Sequence, residues 1–200
     1  MQRGKFIVFE GIDGCGKSTQ LARLAEALSK KGRAVVTTAE PTGGETGKAL
    51  RRFLSGAEQH TPAELTALFV LDRLEHNREI EALLAEGCDV ICDRYYYSTL
   101  AYQGSVCDYA WVKHMNCACP DIRHPDLCVF LDLTPEASLA RISARGEARE
   151  VFETVETLTR VRNTFLSVFA DLDDRVAIID AQGTPDEVAA RVAEAVFPLL

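Results

Sequence analysis

Residues Gly11 to Ser18 read Gly-Ile-Asp-Gly-Cys-Gly-Lys-Ser, the G-x-x-x-x-G-K-[ST] pattern of a phosphate-binding loop. An apolar run, Phe6-Ile7-Val8-Phe9, precedes it, and Leu21, Leu24, Ala25 and Leu28 follow at helical spacing. A strand, a glycine-rich turn and a helix N-terminus together bind anions. Backbone N–H groups converge on the turn, and the helix dipole adds partial positive charge. In this pattern Lys17 reaches the β- and γ-phosphates of a nucleotide, and the Ser18 hydroxyl is a ligand for Mg²⁺. An ordinary βα turn would explain the glycines but not Lys17 followed by Ser18.

Short apolar runs alternate with longer helical patterns along the rest of the chain. The runs are Phe6–Phe9, Ala34–Thr37, Val90–Cys92, Leu127–Leu131 and Val176–Ile179. Such alternation predicts βαβ units, an α/β fold with a five-stranded parallel sheet flanked by helices. A helix is expected over Leu65 to Ala85, introduced by Thr61-Pro62-x-Glu64, a capping box with proline at the first helical position. Thr184-Pro185-x-Glu187 repeats the device, and Thr134-Pro135-Glu136 opens another helix. Ligands of open α/β sheets sit at the carboxyl ends of the strands. That edge should hold the Gly11 loop, Glu40, Asp93 and the Ala181–Gly183 loop.

A chain of 200 residues with 47% hydrophobic content buries a core without disulfide or metal staples. The net charge of −8 argues against a broad basic surface for nucleic acid. The N-terminal residues run directly into the first strand, so neither a leader nor a membrane span is expected, and the location is expected to be cytoplasmic. The seven cysteines then read as reduced thiols, with Cys88, Cys92 and Cys128 as small core residues. His114-x-x-Cys117-x-Cys119 with His124 is spaced too tightly for a typical zinc site, and reads as helix-end thiols and surface histidines.

The second informative segment is Asp93-Arg94-Tyr95-Tyr96-Tyr97-Ser98-Thr99-Leu100-Ala101-Tyr102-Gln103-Gly104. An acidic residue ending a strand beside a phosphate loop can organise Mg²⁺ and its waters, which points to Asp93. Arg94 can grip a second phosphate in bidentate fashion. The other reading of this pair is a surface ion bridge. Ser98, Thr99, Tyr102 and Gln103 fall on nearby turns of a short helix, with donors and acceptors suited to a base edge and a sugar.

Taken in order, these segments resemble the thymidylate kinase family. The resemblance rests on Phe9-Glu10-Gly11-Ile12-Asp13-Gly14 with Gly16-Lys17-Ser18-Thr19, Glu40-Pro41-Thr42-Gly43-Gly44, Leu68-Phe69-x-x-Asp72-Arg73 and the Asp93–Gly104 segment. Pro125-Asp126-Leu127 leading into Leu131-Asp132-Leu133-Thr134-Pro135-Glu136 extends it. It implies a P-loop kinase three-layer sandwich, one domain over residues 1–200 with a short lid at about 143–153. It also implies transfer of the ATP γ-phosphoryl group to dTMP with Mg²⁺, and a homodimer packed through long helices. Another nucleoside monophosphate or deoxynucleoside kinase, or a P-loop switch without an acceptor, shares the loop but not the Ser98–Gln103 pattern.

The resemblance assigns roles. Gly11, Ile12, Asp13, Gly14, Cys15, Gly16, Lys17, Ser18 and Thr19 would hold the ATP phosphates. Phe69 would stack on thymine, and Arg73 would reach a thymine carbonyl; a surface ion pair with Glu75 or Asp72 is the plainer reading of Arg73. Ser98, Thr99 and Gln103 would face the nucleoside, and Tyr102 would disfavour a ribose. Arg94 would hold the dTMP phosphate and Asp13 the acceptor sugar. Glu10 would assist Mg²⁺ through water or be a plain strand-end carboxylate. Arg141 would lie near adenine, and Arg145 or Arg149 would reach the transferred phosphate.

Three positions depart from the family pattern. Gly14 stands where some members carry a loop arginine, and Ala39 stands where Arg-Glu-Pro-Gly-Gly would place one. Glu150-Val151 precedes Phe152-Glu153 where Asp-Arg is usual. The positive charge that phosphoryl transfer needs is therefore expected from the lid, where the chain is least like the family pattern.

Overall fold

Each apolar run becomes a strand of one parallel sheet in the computed structural model, which describes residues 3–144 and 154–200. The strands are β1 (Phe6–Glu10), β2 (Val35–Ala39), β3 (Asp89–Asp93), β4 (Leu127–Asp132) and β5 (Val176–Asp180), in spatial order β2-β3-β1-β4-β5. The helices are α1 (Lys17–Lys30), α2 (Glu45–Leu54), α3 (Pro62–Ala85), α4 (Tyr96–Tyr102), α5 (Tyr109–Cys117), α6 (Pro135–Ala144), α7 (Val155–Asp171) and α8 (Pro185–Val196).

The chain steps one way across the sheet from β1 to β2, and the other way from β2 to β3, β3 to β4 and β4 to β5. Right-handed crossovers therefore put the connecting helices on opposite faces. α1 packs with α8, while α4 packs with α3, α5 and α7. Central strands covered on both faces need apolar side chains throughout, not in alternation. All of β1 and Cys128 to Leu131 of β4 are accordingly fully buried. Cys92 and Cys128 lie in this core, but Cys88 is only partly buried, because it precedes β3 at the sheet margin.

The pairing register levels the strands at their carboxyl ends: Phe9 and Ala39 both lie beside Asp93, and Glu10 beside Phe130. β1 leaves the sheet here between β3 and β4, whose chains continue on different paths, so a crevice opens above it. The anticipated caps form. Thr61 accepts from the Glu64 amide while Glu64 accepts from the Thr61 amide at 2.7 Å, and Thr184 and Glu187 repeat the pair. Thr61→Ala should cost about 1 kcal/mol of stability, lowering Tm by about 2–4 °C. Thermal unfolding followed by circular dichroism checks this; an unchanged Tm would mean the box does not stabilise α3.

Candidate active site

The Gly11–Ser18 loop leaves β1 and enters α1 through Gly16, which has φ 104° and no side-chain cap, so the first-turn amides stay available to an anion. Lys17 is buried, with Nζ 3.0 Å from the Gly11 carbonyl oxygen and 3.3 Å from that of Ile12. Ile12 and Cys15 are also buried, so they shape the loop through their backbone. Gly14 has φ 80°, and a Cβ there would lie 2.7 Å from the Ser138 carbonyl oxygen and 2.9 Å from Cγ1 of Ile142. Packing of α6 on the loop thus leaves no room for a side chain at Gly14. α6 touches the loop twice more. The Ser138 hydroxyl donates to the Asp13 carbonyl, and Arg141 Nη1 donates to that of Cys15 at 3.2 Å.

β3 ends at Asp93, and the next residue, Arg94, has a positive φ of 68°. Such a backbone costs about 1–3 kcal/mol for a non-glycine residue, and persists because the surroundings fix it. Arg94 Nη2 donates to Asp13 Oδ1 at 2.5 Å and Nη1 to Ser98 Oγ at 3.0 Å. Burial works against the Asp13 carboxylate, but the charges of Arg94 and Lys17 outweigh it and hold its pKa below the ordinary value. Glu10 is fully buried and faces α4, accepting from the Tyr95 amide at 2.8 Å, the Ser98 amide at 3.2 Å and Ser98 Oγ at 2.7 Å. The Ser18 hydroxyl lies 3.4 Å from Asp93 Oδ2, while Asp93 Oδ1 is buried with no hydrogen-bond partner among the described residues.

Two cavities meet at this point. One of about 260 Å³ is lined by the loop residues Asp13, Gly14 and Gly16 to Thr19, together with Ala39, Arg51 and Asp93. The other, of about 480 Å³, is lined by Phe69, Arg73, Ser98, Thr99, Tyr102 and Gln103 among others. Asp13, Glu40, Pro41 and Arg94 line both. The larger cavity has a charged floor. Arg73, 1% exposed, donates from Nη2 to Glu40 Oε2 at 2.6 Å and to Thr99 Oγ1 at 3.2 Å, and from Nη1 to Asn116. Glu40 Oε1 is bonded to His76 Nδ1 at 3.0 Å, and His76 Nε2 to Thr38 Oγ1 at 2.7 Å. Arg73 Nε has no partner among the described residues. The surface pair with Glu75 or Asp72 does not form, since Asp72 instead accepts from the amide and hydroxyl of Thr42. Arg94 likewise pairs with Asp13, not with Asp93.

The model of the thymidylate kinase family matches residues 9–192. A thymidylate kinase of Synechococcus sp. (strain JA-3-3Ab) is 42% identical over 198 residues, covering 98% of this chain and 96% of the relative. A "Probable thymidylate kinase" of Pyrococcus horikoshii is 41% identical over 93% of this chain and 92% of its own length. A thymidylate kinase of Akkermansia muciniphila is 41% identical over 97% of this chain and 92% of the relative. The chain belongs to the thymidylate kinase family. Its reaction is the phosphorylation of dTMP with ATP as donor.

Against a thymidylate kinase reaction, the residues anticipated from sequence fall into place unevenly. Lys17, Ser18, Thr19, Asp13 and Asp93 surround the smaller cavity, and all the anticipated nucleoside-facing residues line the larger one. Arg141 spans the phosphate loop and the other edge loop, with Nη2 2.9 Å from the Ala181 carbonyl oxygen. Glu10 lines neither cavity; its carboxyl is taken up by the start of α4. Arg145 and Arg149, with most of the anticipated lid, lie outside the described residues. One residue was missed. Arg51 of α2 lines the smaller cavity beside Ala39, its guanidinium on the carbonyls of Thr42 and Pro41. Lys48, Arg51 and Arg52 lie close together on α2, and only folding separates Arg51 from Arg52, which pairs with Glu58.

Burial raises the Glu10 pKa from 4.5 to about 7, against the charge of Arg94 and the bonds from Ser98 and Tyr95. Between those values the folded chain keeps a proton that the unfolded chain has lost, so stability falls as pH rises through this window. Wild-type Tm should therefore drop relative to that of Glu10→Gln between about pH 4.5 and 7. Equal shifts of the two would contradict the burial penalty.

Proposed function

We propose that the smaller cavity takes the ATP phosphates and the larger one takes dTMP, with the acceptor phosphate at Arg94. The observation that carries this reading is that Arg94 and Asp13 line both cavities. A cation at the junction can meet the acceptor phosphate while the donor phosphates lie on the loop. Phe69 is half-buried with its side chain on the cavity, which supports stacking on thymine. The unpartnered Nε of Arg73 supports an interaction with the base, because a buried donor left unpaired costs about 1–3 kcal/mol. Tyr102, beside Arg94 with 5.7 Å between guanidinium and ring centre, closes the sugar end and disfavours ribose. Arg141 supports the adenine side.

Ser18 and Asp93 would hold Mg²⁺. Their oxygens are the hard ligands this ion prefers, and the orphaned Asp93 Oδ1 fits such a role. Bound there, the ion would neutralise charge on the donor phosphates. Glu10, turned to α4, would act on this site only indirectly.

The rest of the chemistry is positioning and charge. The acceptor is already an ionised phosphate, so no general base is assigned. Lys17 would follow charge on the transferred group, and Arg51 supplies the cation that Ala39 lacks. Arg145 or Arg149 would add the last positive charge over the transferred phosphate. Exposed Leu71 on α3 supports a homodimer packed through the long helices, and seven free thiols support a reducing, cytoplasmic setting. Among the described residues no helix is long and apolar enough to cross a membrane.

Steady-state kinetics test the assignment. dTMP should be turned over in strong preference to thymidine, which lacks the group that Arg94 would hold. Phe69→Ala, which lines the larger cavity alone, should raise the KM for dTMP about tenfold and change that for ATP by less than about threefold. Preferred turnover of thymidine, or a Phe69→Ala effect confined to ATP, would overturn the placement of dTMP in the larger cavity.

A further inference from the structure

α4 presents Ser98, Thr99 and Tyr102 to the larger cavity and turns Tyr96 and Tyr97 the other way. Both tyrosines are fully buried, and both hydroxyls donate to one oxygen, Asp174 Oδ2, at 2.5 Å and 2.8 Å. Asp174 Oδ1 is bonded to His124 Nδ1 at 2.7 Å. The aspartate side chain is 9% exposed and lines neither cavity. It stands in the turn between α7 and β5.

We propose that Asp174 is a positioning residue for the acceptor site, acting through Tyr96 and Tyr97. A seven-residue helix has too few internal hydrogen bonds to fix its own direction, so its tertiary contacts decide where it points. On the cavity side Glu10 ties the start of α4. On the far side the ties are charge-assisted bonds to Asp174, shorter and stronger than bonds between neutral groups. Asp174 follows the end of α7 by three residues, and α7, packed on α4, supplies Thr157, Arg160 and Val161 to the lining of the same cavity. One carboxylate thereby sets α4 against the end of α7, and with it the face that α4 turns to the cavity. Ring contacts of Tyr97 with Phe169 at 5.6 Å and of Tyr102 with Phe165 at 6.3 Å follow the same seam. The donor loop is tied to α4 only through Asp13, Arg94 and Ser98, and otherwise rests on β1, α1 and α6.

The inference rests on dTMP as the acceptor of the larger cavity. Its test is the KM for dTMP and for ATP in wild type, Asp174→Ala, the Tyr96→Phe/Tyr97→Phe double variant and their combination. Asp174→Ala and the double variant should each raise the dTMP KM about tenfold, with the ATP KM changed by less than about twofold. The combination should add little, since the same bonds are already gone. If Asp174→Ala does not fold, Tyr97→Phe, which removes a single hydroxyl, should still raise the dTMP KM about threefold. An unchanged dTMP KM in folded variants, or an equal rise for both substrates, would overturn the proposal. Absence of dTMP turnover by wild type would overturn the underlying reading instead.

Discussion

The Arg94–Asp13 ion pair is the interaction on which the two halves of the site depend. It joins the residue after β3 to the phosphate loop after β1, two adjacent strands whose ends are level. Arg94 occupies a backbone conformation that favours glycine, held there by the bonds of its side chain to Asp13 and Ser98. The bond to Ser98 brings α4 into the same unit, and Glu10 beneath ties Ser98 and Tyr95 to β1. A cation, two carboxyls and the start of a helix thus lock one corner of the sheet edge. Both cavities are built outward from that corner.

Buried charges are paired at the floor of the larger cavity. Glu40 faces Arg73 and His76 at once, and Asn116 and Thr99 take further guanidinium protons. A buried ion pair seldom adds net stability, because desolvation offsets the Coulomb gain. Its use here is directional: it holds a guanidinium rigidly at the cavity floor with one donor still to place. Preorganised groups of this kind are what phosphoryl transfer requires, since the protein contributes position and charge more than covalent chemistry.

The layout of the fold was legible because its signals are local. Five apolar runs bounded by turn residues read as strands, of which β1, β3 and β4 are buried and the edge strands β2 and β5 are largely not, and each Thr-Pro-x-Glu fixed a helix start through bonds within four residues. The loop was legible because its chemistry is contained in eight consecutive positions. Pairings across the fold were not. Arg73 looks exposed beside Asp72 and Glu75 in sequence, yet its partner Glu40 arrives from the β2 edge, 33 positions away. Glu10 looks like a metal helper until α4 takes its oxygens. Ala39 looks like a lost cation until α2 folds back and Arg51 takes the adjacent place. In each case a charge was visible but the partner that fixes its role was remote.

The central claim is that Arg94 serves the acceptor phosphate from a position shared with the donor cavity. Arg94→Ala tests it most directly, with ATP affinity measured by calorimetry beside the kinetics of dTMP phosphorylation. The account predicts a fall in kcat/KM for dTMP of about 100-fold or more, because a half-buried, hydrogen-bonded cation is lost, while ATP affinity falls by no more than about tenfold through the lost tie to Asp13. An ATP affinity that falls as far as dTMP turnover would contradict it, and would make Arg94 a support of the phosphate loop instead.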